Sequence, residues 1–295
     1  MRHMREGNSY SSAADVKRVV KWRHRESSKR DFGYLLIVGG SEVYSGAPAL
    51  AGMAALRTGA GLVALATPTS VALAVRAYSP NLIVHPLPGN NVSIECMDGL
   101  SKLVKSCDAL VLGPGIGFTP ETKEAVPAIV EMTARHQKPI LIDADAIRIL
   151  TEKKQLLRDA VLTPHVGEFR AMSGIEVPKG QSERVRVCMK LALQCSCIVL
   201  LKGYHTVVSD GRQVKVNRTG NPGMAVGGMG DVLSGIIGAF LAQGADRFLS
   251  AVAGAYVHGL AGDLVRRHKG FHLVASDLIE ALPGVLRVYD RENGR

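Results

Sequence analysis

From Tyr34 onward, short apolar bursts alternate with longer helix-patterned stretches, and several bursts end in glycine. Leu35-Leu36-Ile37-Val38 runs into Gly39-Gly40, and the burst at 109–112 runs into Gly113-Pro114-Gly115-Ile116-Gly117. A short apolar run of this kind fits a strand buried on both faces, with helices packed on either side. Further strands are predicted over 62–66, 81–85, 140–142, 160–162 and 198–201. Helices are predicted over 48–56, 71–77 and 181–194, after Pro120, and from Asp231 onward. Asp210-Gly211, between apolar segments at 206–209 and 213–216, signals a β-hairpin. The expected fold class is α/β, a doubly wound and mostly parallel sheet with helices on both faces. One domain is expected over 31–295, preceded by a loosely attached basic segment over 1–30.

Aromatic residues make up only 5% of the chain, against 46% hydrophobic residues and 32 glycines. Such a core is built from Ala, Val, Ile and Leu with close backbone approaches, which suits layered α/β better than a β-sandwich. The five cysteines are odd in number and lack C-x-x-C spacing, as expected for reduced thiols in a cytoplasmic protein. Cys195 and Cys197 share a face if their segment is a strand. No apolar run approaches the roughly 20 residues of a membrane span, and Met1–Asn8 has no apolar signal core. The net charge of +10 is uneven: residues 1–30 hold nine Lys/Arg against three Asp/Glu, leaving +4 for the rest. A solvated arm or helix accounts for this excess, with a phosphate-attracting rim as the alternative. No nucleic-acid motif accompanies it.

The loops at strand ends carry the chemistry. Gly227, Gly228 and Gly230 let backbone N–H groups approach an anion, and the helix after them aims its positive end at the same place. A carboxylate at Asp231 is then explained as the acceptor of a proton from an attacking hydroxyl; capping of the helix is the competing assignment. Upstream, Lys202-Gly203-Tyr204-His205-Thr206 follows an apolar strand and offers a cation, a flexible backbone and a hydroxyl to nucleotide phosphates. Asp143 and Asp145 lie past another strand, where carboxylates help hold a metal–phosphate complex or cap a helix. Walker A and G-x-G-x-x-G patterns are missing. Gly270, between His268 and His272, argues against a helical metal site there.

Gly228-Met229-Gly230-Asp231 resembles the anion-hole motif of the ribokinase-like superfamily. Residues 220–235 resemble the NAD(P)H-hydrate dehydratase family within it. Four segments match in order: Gly39-Gly40-Ser41 with Gly46-Ala47, 57–63, 113–117, and Thr163-Pro164-His165 with Glu168-Phe169. The resemblance implies a hydro-lyase that restores hydrated NADH or NADPH, of the S epimer, by phosphorylating the ring hydroxyl and eliminating phosphate. It implies ADP (or ATP) with Mg2+, ADP being the expected donor, and a homo-oligomer. Ala47, Gly117, His165 and Asp231 would contact the hydrated dinucleotide, with Gly115 or Gly117 supplying the loop contact. Lys202, Gly203, Tyr204, His205, Thr206 and Gly230 would contact the nucleotide, beside Gly227 and Gly228. Tyr204-His205 is bulky for such a loop. Epimerisation, which some members carry out with an N-terminal domain, is expected to come from another protein. A vitamin or thiazole-alcohol kinase of the same superfamily and a non-catalytic nucleotide sensor are the alternatives.

Overall fold

In a computed structural model the described residues are 9–290, and Met1–Asn8, with the signal-peptide expectation attached to it, lies outside them. The chain runs β1 (Ser9–Tyr10), α1 (Ala13–Val19), β2 (Tyr34–Val38), α2 (Gly46–Arg57), β3 (Leu62–Pro68), α3 (Thr69–Tyr78) and β4 (Ile83–Leu87). It continues through α4 (Met97–Ser106), β5 (Ala109–Leu112), α5 (Pro120–Arg135), β6 (Ile140–Ile142), α6 (Asp145–Ile149), β7 (Val161–Leu162), α7 (Val166–Ser173) and α8 (Gln181–Cys195). The last part holds β8 (Ile198–Leu201), β9 (Thr206–Ser209), β10 (Val214–Asn217), α9 (Met229–Ala242), α10 (Arg247–Lys269) and α11 (Ala275–Leu286).

The strands form one sheet in the order β1-β10-β9-β8-β7-β6-β5-β2-β3-β4. All neighbouring pairs are parallel except β9, which runs antiparallel to β8 and β10 as the Asp210-Gly211 hairpin requires. Alternate residues of each strand feed opposite cores. Leu36 and Val38 pack with α4, α5, α7 and α8, whereas Leu35 and Ile37 pack with α2, α3, α9 and α10. A third cluster joins α1 and α11 to the outer side of α9 and α10. The close approach of α9 to α2 depends on Gly235, where any Cβ would collide with the Ala51 carbonyl.

Two expectations are corrected here. The N-terminal segment is not loosely attached over its described part. Ser9 and Tyr10 pair with Lys215 and Val216, Asp15 forms an ion pair with Lys215 at 3.2 Å, and Arg218 stacks on Tyr10. Val16 and Val19 are buried against α10, so the basic residues of α1 ride on the outer face of a packed helix. Arg23 donates to the Gly59 carbonyl at 2.8 Å. Cys195 and Cys197, in turn, are not on a strand face: Cys195 ends α8, and Ser196 turns in the left-handed region (φ 50°) before β8 begins. All five cysteines are free and buried. The helix α10 is long and apolar enough to match a membrane span, but most of that stretch is buried inside the protein as a core helix.

Val16 is fully buried. Val16→Ala removes two buried methyl groups and should lower unfolding stability by about 1.5–3 kcal/mol. Urea unfolding should show a lower midpoint at unchanged slope. An unchanged midpoint would mean that the segment is attached loosely after all.

Candidate active site

Three neighbouring parallel strands and one helix deliver the charged groups. Asp143 follows β6, His165 and Glu168 follow β7, Lys202 follows β8, and Asp231 lies in the first turn of α9. The registers Ile142↔Leu162 and Leu162↔Val199 set the ends of β6, β7 and β8 at one level. Lys202 Nζ meets Asp143 Oδ1 at 3.0 Å, and the Ser234 hydroxyl, one turn past Asp231, donates to Asp143 Oδ2 at 2.7 Å. The backbone N–H of Lys202 donates to the Pro164 carbonyl at 2.9 Å, tying the 163–165 turn to the same centre.

One ammonium thus serves three carboxyl groups. Burial opposes the Lys202 charge, but Asp143 and Glu168, with Asp231 beyond them, outweigh burial and raise its pKa. Asp143 is held below the usual carboxylate range: burial pushes it up, and Lys202 and the Ser234 hydroxyl more than offset that. Glu168 is raised by burial, Lys202 pulling the other way and Asp143 adding to the rise. Asp231 is pushed up to about 7 by burial and by the Asp143 charge, against the pull of Lys202.

The helix α9 starts from Gly228, whose left-handed backbone (φ 87°) makes it the N-cap and turns the chain so that the first-turn N–H groups face the site. Among the described residues the Asp231 carboxylate accepts no hydrogen bond, so it does not cap this helix through its side chain. A Cβ placed on Gly230 would lie 3.5 Å from Lys202 Nζ, which locates the lysine beneath the turn.

Beside this turn opens a cavity of about 490 Å³. Lys202, Gly203, Tyr204, Thr206 and Gly230 line it, so most residues expected to hold a nucleotide meet in one place. His205 is not on its lining and instead packs its ring against Tyr204, at 4.5 Å between centroids. Gly227 and Gly228 also lie off the lining. Asn217, Thr219 and the 220–225 loop that leads into α9 form another part of the wall, and Ala255 and His258 of α10, which no sequence motif pointed to, line it from the far side. Asn217 is fixed by donation to the Ala255 carbonyl at 3.2 Å and by acceptance from the Ser11 hydroxyl at 2.7 Å, which ties the N-terminal segment to the cavity wall. Burial drives the His258 imidazole down to about 4, so it stands neutral at neutral pH.

The residues expected to hold the hydrated dinucleotide lie outside that cavity. Gly115 abuts the 44–47 turn, a Cβ on it lying 2.9 Å from Ala47 Cβ, and Gly117 stands over Ser41, so these loops form one wall. Asp145 opens α6 and pairs with Arg148 at 2.7 Å. Both Asp143 oxygens are engaged, by Lys202 and Ser234, while Asp145 turns to Arg148. Among the described residues no cluster of three or more His, Cys, Asp or Glu is placed to hold a metal ion.

A mostly parallel α/β sheet with a carboxylate at a glycine-led helix N-terminus, next to a cavity lined by a lysine, defines the ribokinase-like class. A ribokinase-like superfamily protein from Enterococcus faecalis V583 superposes with a TM-score of 0.81 at 27% identity, over 98% of this chain and 99% of that one. The family model for NAD(P)H-hydrate dehydratase matches residues 35–284, and the chain belongs to that family. Its relatives include the bifunctional NAD(P)H-hydrate repair enzyme of Pyrobaculum aerophilum, 43% identical over 92% of this chain and 54% of the relative. The chain spans about half the length of that and several similar relatives. The ADP-dependent (S)-NAD(P)H-hydrate dehydratase of Cenarchaeum symbiosum is 38% identical over 94% of this chain and 96% of its own. The solved ADP/ATP-dependent NAD(P)H-hydrate dehydratase of Bacillus subtilis, co-crystallised with ATP/Mg2+, gives a TM-score of 0.78 at 25% identity, over 97% and 100% of the two chains.

Lys202→Ala should have two effects. Loss of a charge-assisted phosphate contact weakens nucleotide binding by about 1.5–3 kcal/mol, with a smaller effect on the hydrated dinucleotide. Loss of the cation that restrains Asp231 also raises its pKa further. Separate titrations of each ligand test the first effect, and unchanged nucleotide affinity would remove Lys202 from that site.

Proposed function

We propose that the chain is a hydro-lyase that dehydrates hydrated NADH and NADPH of the S epimer, using ADP in preference to ATP. The observation that carries this reading is Asp231, a carboxyl with a pKa of about 7 at the positive end of α9, beside a nucleotide-sized cavity. Membership of the NAD(P)H-hydrate dehydratase family and the ADP dependence in the names of two near-full-length relatives support the choice of reaction and donor.

The nucleotide lies in the cavity with its terminal phosphoryl group against the first turn of α9 and Lys202. Backbone N–H groups and the helix end favour the charge that gathers there as transfer proceeds. The ring hydroxyl of the hydrate enters from the wall made by Ala47, Gly115 and Gly117, with His165 as a further contact. Its oxygen attacks the terminal phosphorus, its proton passes to Asp231, and AMP departs when ADP is the donor. The carbon–oxygen bond then breaks with loss of inorganic phosphate. A proton leaves the neighbouring ring carbon, and the double bond of the dihydronicotinamide is restored. The products are the reduced dinucleotide, AMP and phosphate. Mg2+ would accompany the nucleotide, where phosphate oxygens and water suit its octahedral shell. The residues present do not form a protein-made site for it, and no step here passes through it. Free buried thiols agree with a reducing, cytoplasmic location. Assembly as a homo-oligomer completes the reading, and sedimentation showing a monomer at every concentration would remove it.

Adding hydrated NADH and ADP should return dihydronicotinamide absorbance with one AMP and one phosphate per turnover. Asp231 acts as a base only when ionised, so kcat/KM should be full above its pKa and fall as pH drops through about 7. A stable phosphorylated product without absorbance would favour the small-molecule kinase alternative. Faster turnover with ATP would overturn the donor preference.

A further inference from the structure

A second cavity, of about 680 Å³, opens at the other end of the sheet from Asp231. Ile140, the first residue of β6, lies on its lining, with Asp159 just ahead of β7, whereas Asp143 and His165 follow those same strands. At about 3.3 Å per residue, β6 and its flanks set the two ends roughly 10–15 Å apart. The helix α10 makes the same crossing, from Arg247 in this cavity to His258 in the cavity beside Asp231. At about 1.5 Å per residue that path is roughly 16 Å. The two cavities are therefore separate.

The lining combines apolar side chains with cations. Val130, Ala134, Ile140 and Leu156 are its apolar part, and Arg135, Lys138, Arg158 and Arg247 are its cations. Arg135 pairs with Glu131 at 3.4 Å. Among the described residues Lys138, Arg158 and Arg247 form no ion pair, and Asp159 is the one carboxylate left on the lining to set against them. Asp246, beside Arg247, uses its carboxylate to cap α10, accepting the Leu249 N–H at 2.9 Å. Arg247 is half-buried, and its Nε is cut off from solvent with no hydrogen-bond partner. Lys138 is half-buried as well. Solvation accounts for the exposed Arg158 but not for these two. A cation enclosed without a counter-charge costs free energy that an anion in the cavity would return.

We propose that this cavity is a second ligand site, for an organic phosphate of about nucleoside size, with Lys138, Arg158 and Arg247 on the phosphate and the apolar side chains against the organic part. The surplus of unpaired cations fixes the sign of the ligand. Two guanidinium groups and an ammonium on one cavity suit a multiply charged phosphoryl group better than a single carboxylate. The volume lies within the roughly 300–1,000 Å³ of small-molecule sites and exceeds what a bare phosphate fills. The site does not depend on the reaction assigned above.

Equilibrium dialysis of the full chain against ADP, at constant ionic strength, tests this. The wild type should bind a second equivalent of ADP besides the one beside Asp231. A double variant, Lys138→Met with Arg247→Met, should lose that second equivalent and keep the first, whereas Lys202→Ala should weaken the first alone. The double variant should melt at or above the wild-type temperature, since it removes two half-buried unpaired charges. Arg158→Gln, at an exposed position, should weaken the same equivalent about tenfold or more and keeps the test open if the double variant fails to fold. Inorganic phosphate should compete for this site about tenfold or more less well than ADP, because it leaves the apolar side chains uncovered. ADP binding unchanged in stoichiometry and affinity across these variants would overturn the proposal. Loss of both equivalents in Lys202→Ala would overturn it too, and competition by phosphate as strong as that by ADP would contradict an organic ligand.

Discussion

A single, mostly enclosed ammonium that must serve three carboxyl groups governs this site. Lys202 cannot compensate Asp143, Glu168 and Asp231 equally. Asp143 wins, because it alone combines a 3.0 Å contact with the lysine and a hydrogen bond from Ser234. Removing one partner of such a buried pair commonly costs several kcal/mol, so the pair is a fixed point. Asp231 is left partly buried, near a like charge and short of compensation, and its pKa rises to about 7. That is the range in which a carboxyl can accept a proton at neutral pH and release it again. The same shortage raises Glu168 as well as Asp231, which lessens the negative charge that the site would set against a polyphosphate.

The fold produces this shortage through parallel strands. β6, β7 and β8 are neighbours and end together, so Asp143, Glu168 and Lys202 converge although 59 residues separate the first from the last. α9 then lays Asp231 and Ser234 across the same point, brought down onto α2 at Gly235. The Asp231 carboxyl and the lysine that restrains it therefore belong to different layers. Packing changes between α2 and α9 would act on chemistry as well as on stability.

How much of this could be read from sequence differs by element. The bursts at 109–112, 140–142 and 198–201 became strands at those bounds, because a strand buried on both faces leaves an uninterrupted apolar run, and 206–209 did so beside its Asp-Gly turn. Ser9–Tyr10 left no such trace: two residues carry no period, and their partners lie more than two hundred positions away. The basic composition of residues 1–30 also obscured the two valines of α1 that anchor it. Gly230-Asp231 and Lys202 were legible because each lies in a short local motif. The ion pair joining Lys202 to Asp143 was not, and neither were Ala255 and His258 in the cavity wall, since these are tertiary juxtapositions. Cys195 and Cys197 misled for a related reason, as alternation suggests a strand when one residue ends a helix and the next turns left-handed.

The central claim is that Asp231 is the base and that its place at the head of α9 is not for capping. The direct test is Asp231→Asn, with turnover, nucleotide affinity and melting temperature measured on one preparation. Asn preserves size and helix compatibility but cannot take the hydroxyl proton as a carboxylate does. With a folded pKa of about 7 against an unfolded value near 3.8, ionised Asp231 destabilises the fold as pH rises between the two, and fully above the higher one. The account therefore predicts a folded variant with equal or higher melting temperature at pH 8, similar or slightly tighter nucleotide binding, and turnover lower by a factor of about 10²–10⁴. A well-folded Asp231→Asn protein that keeps more than about a tenth of wild-type turnover would contradict it.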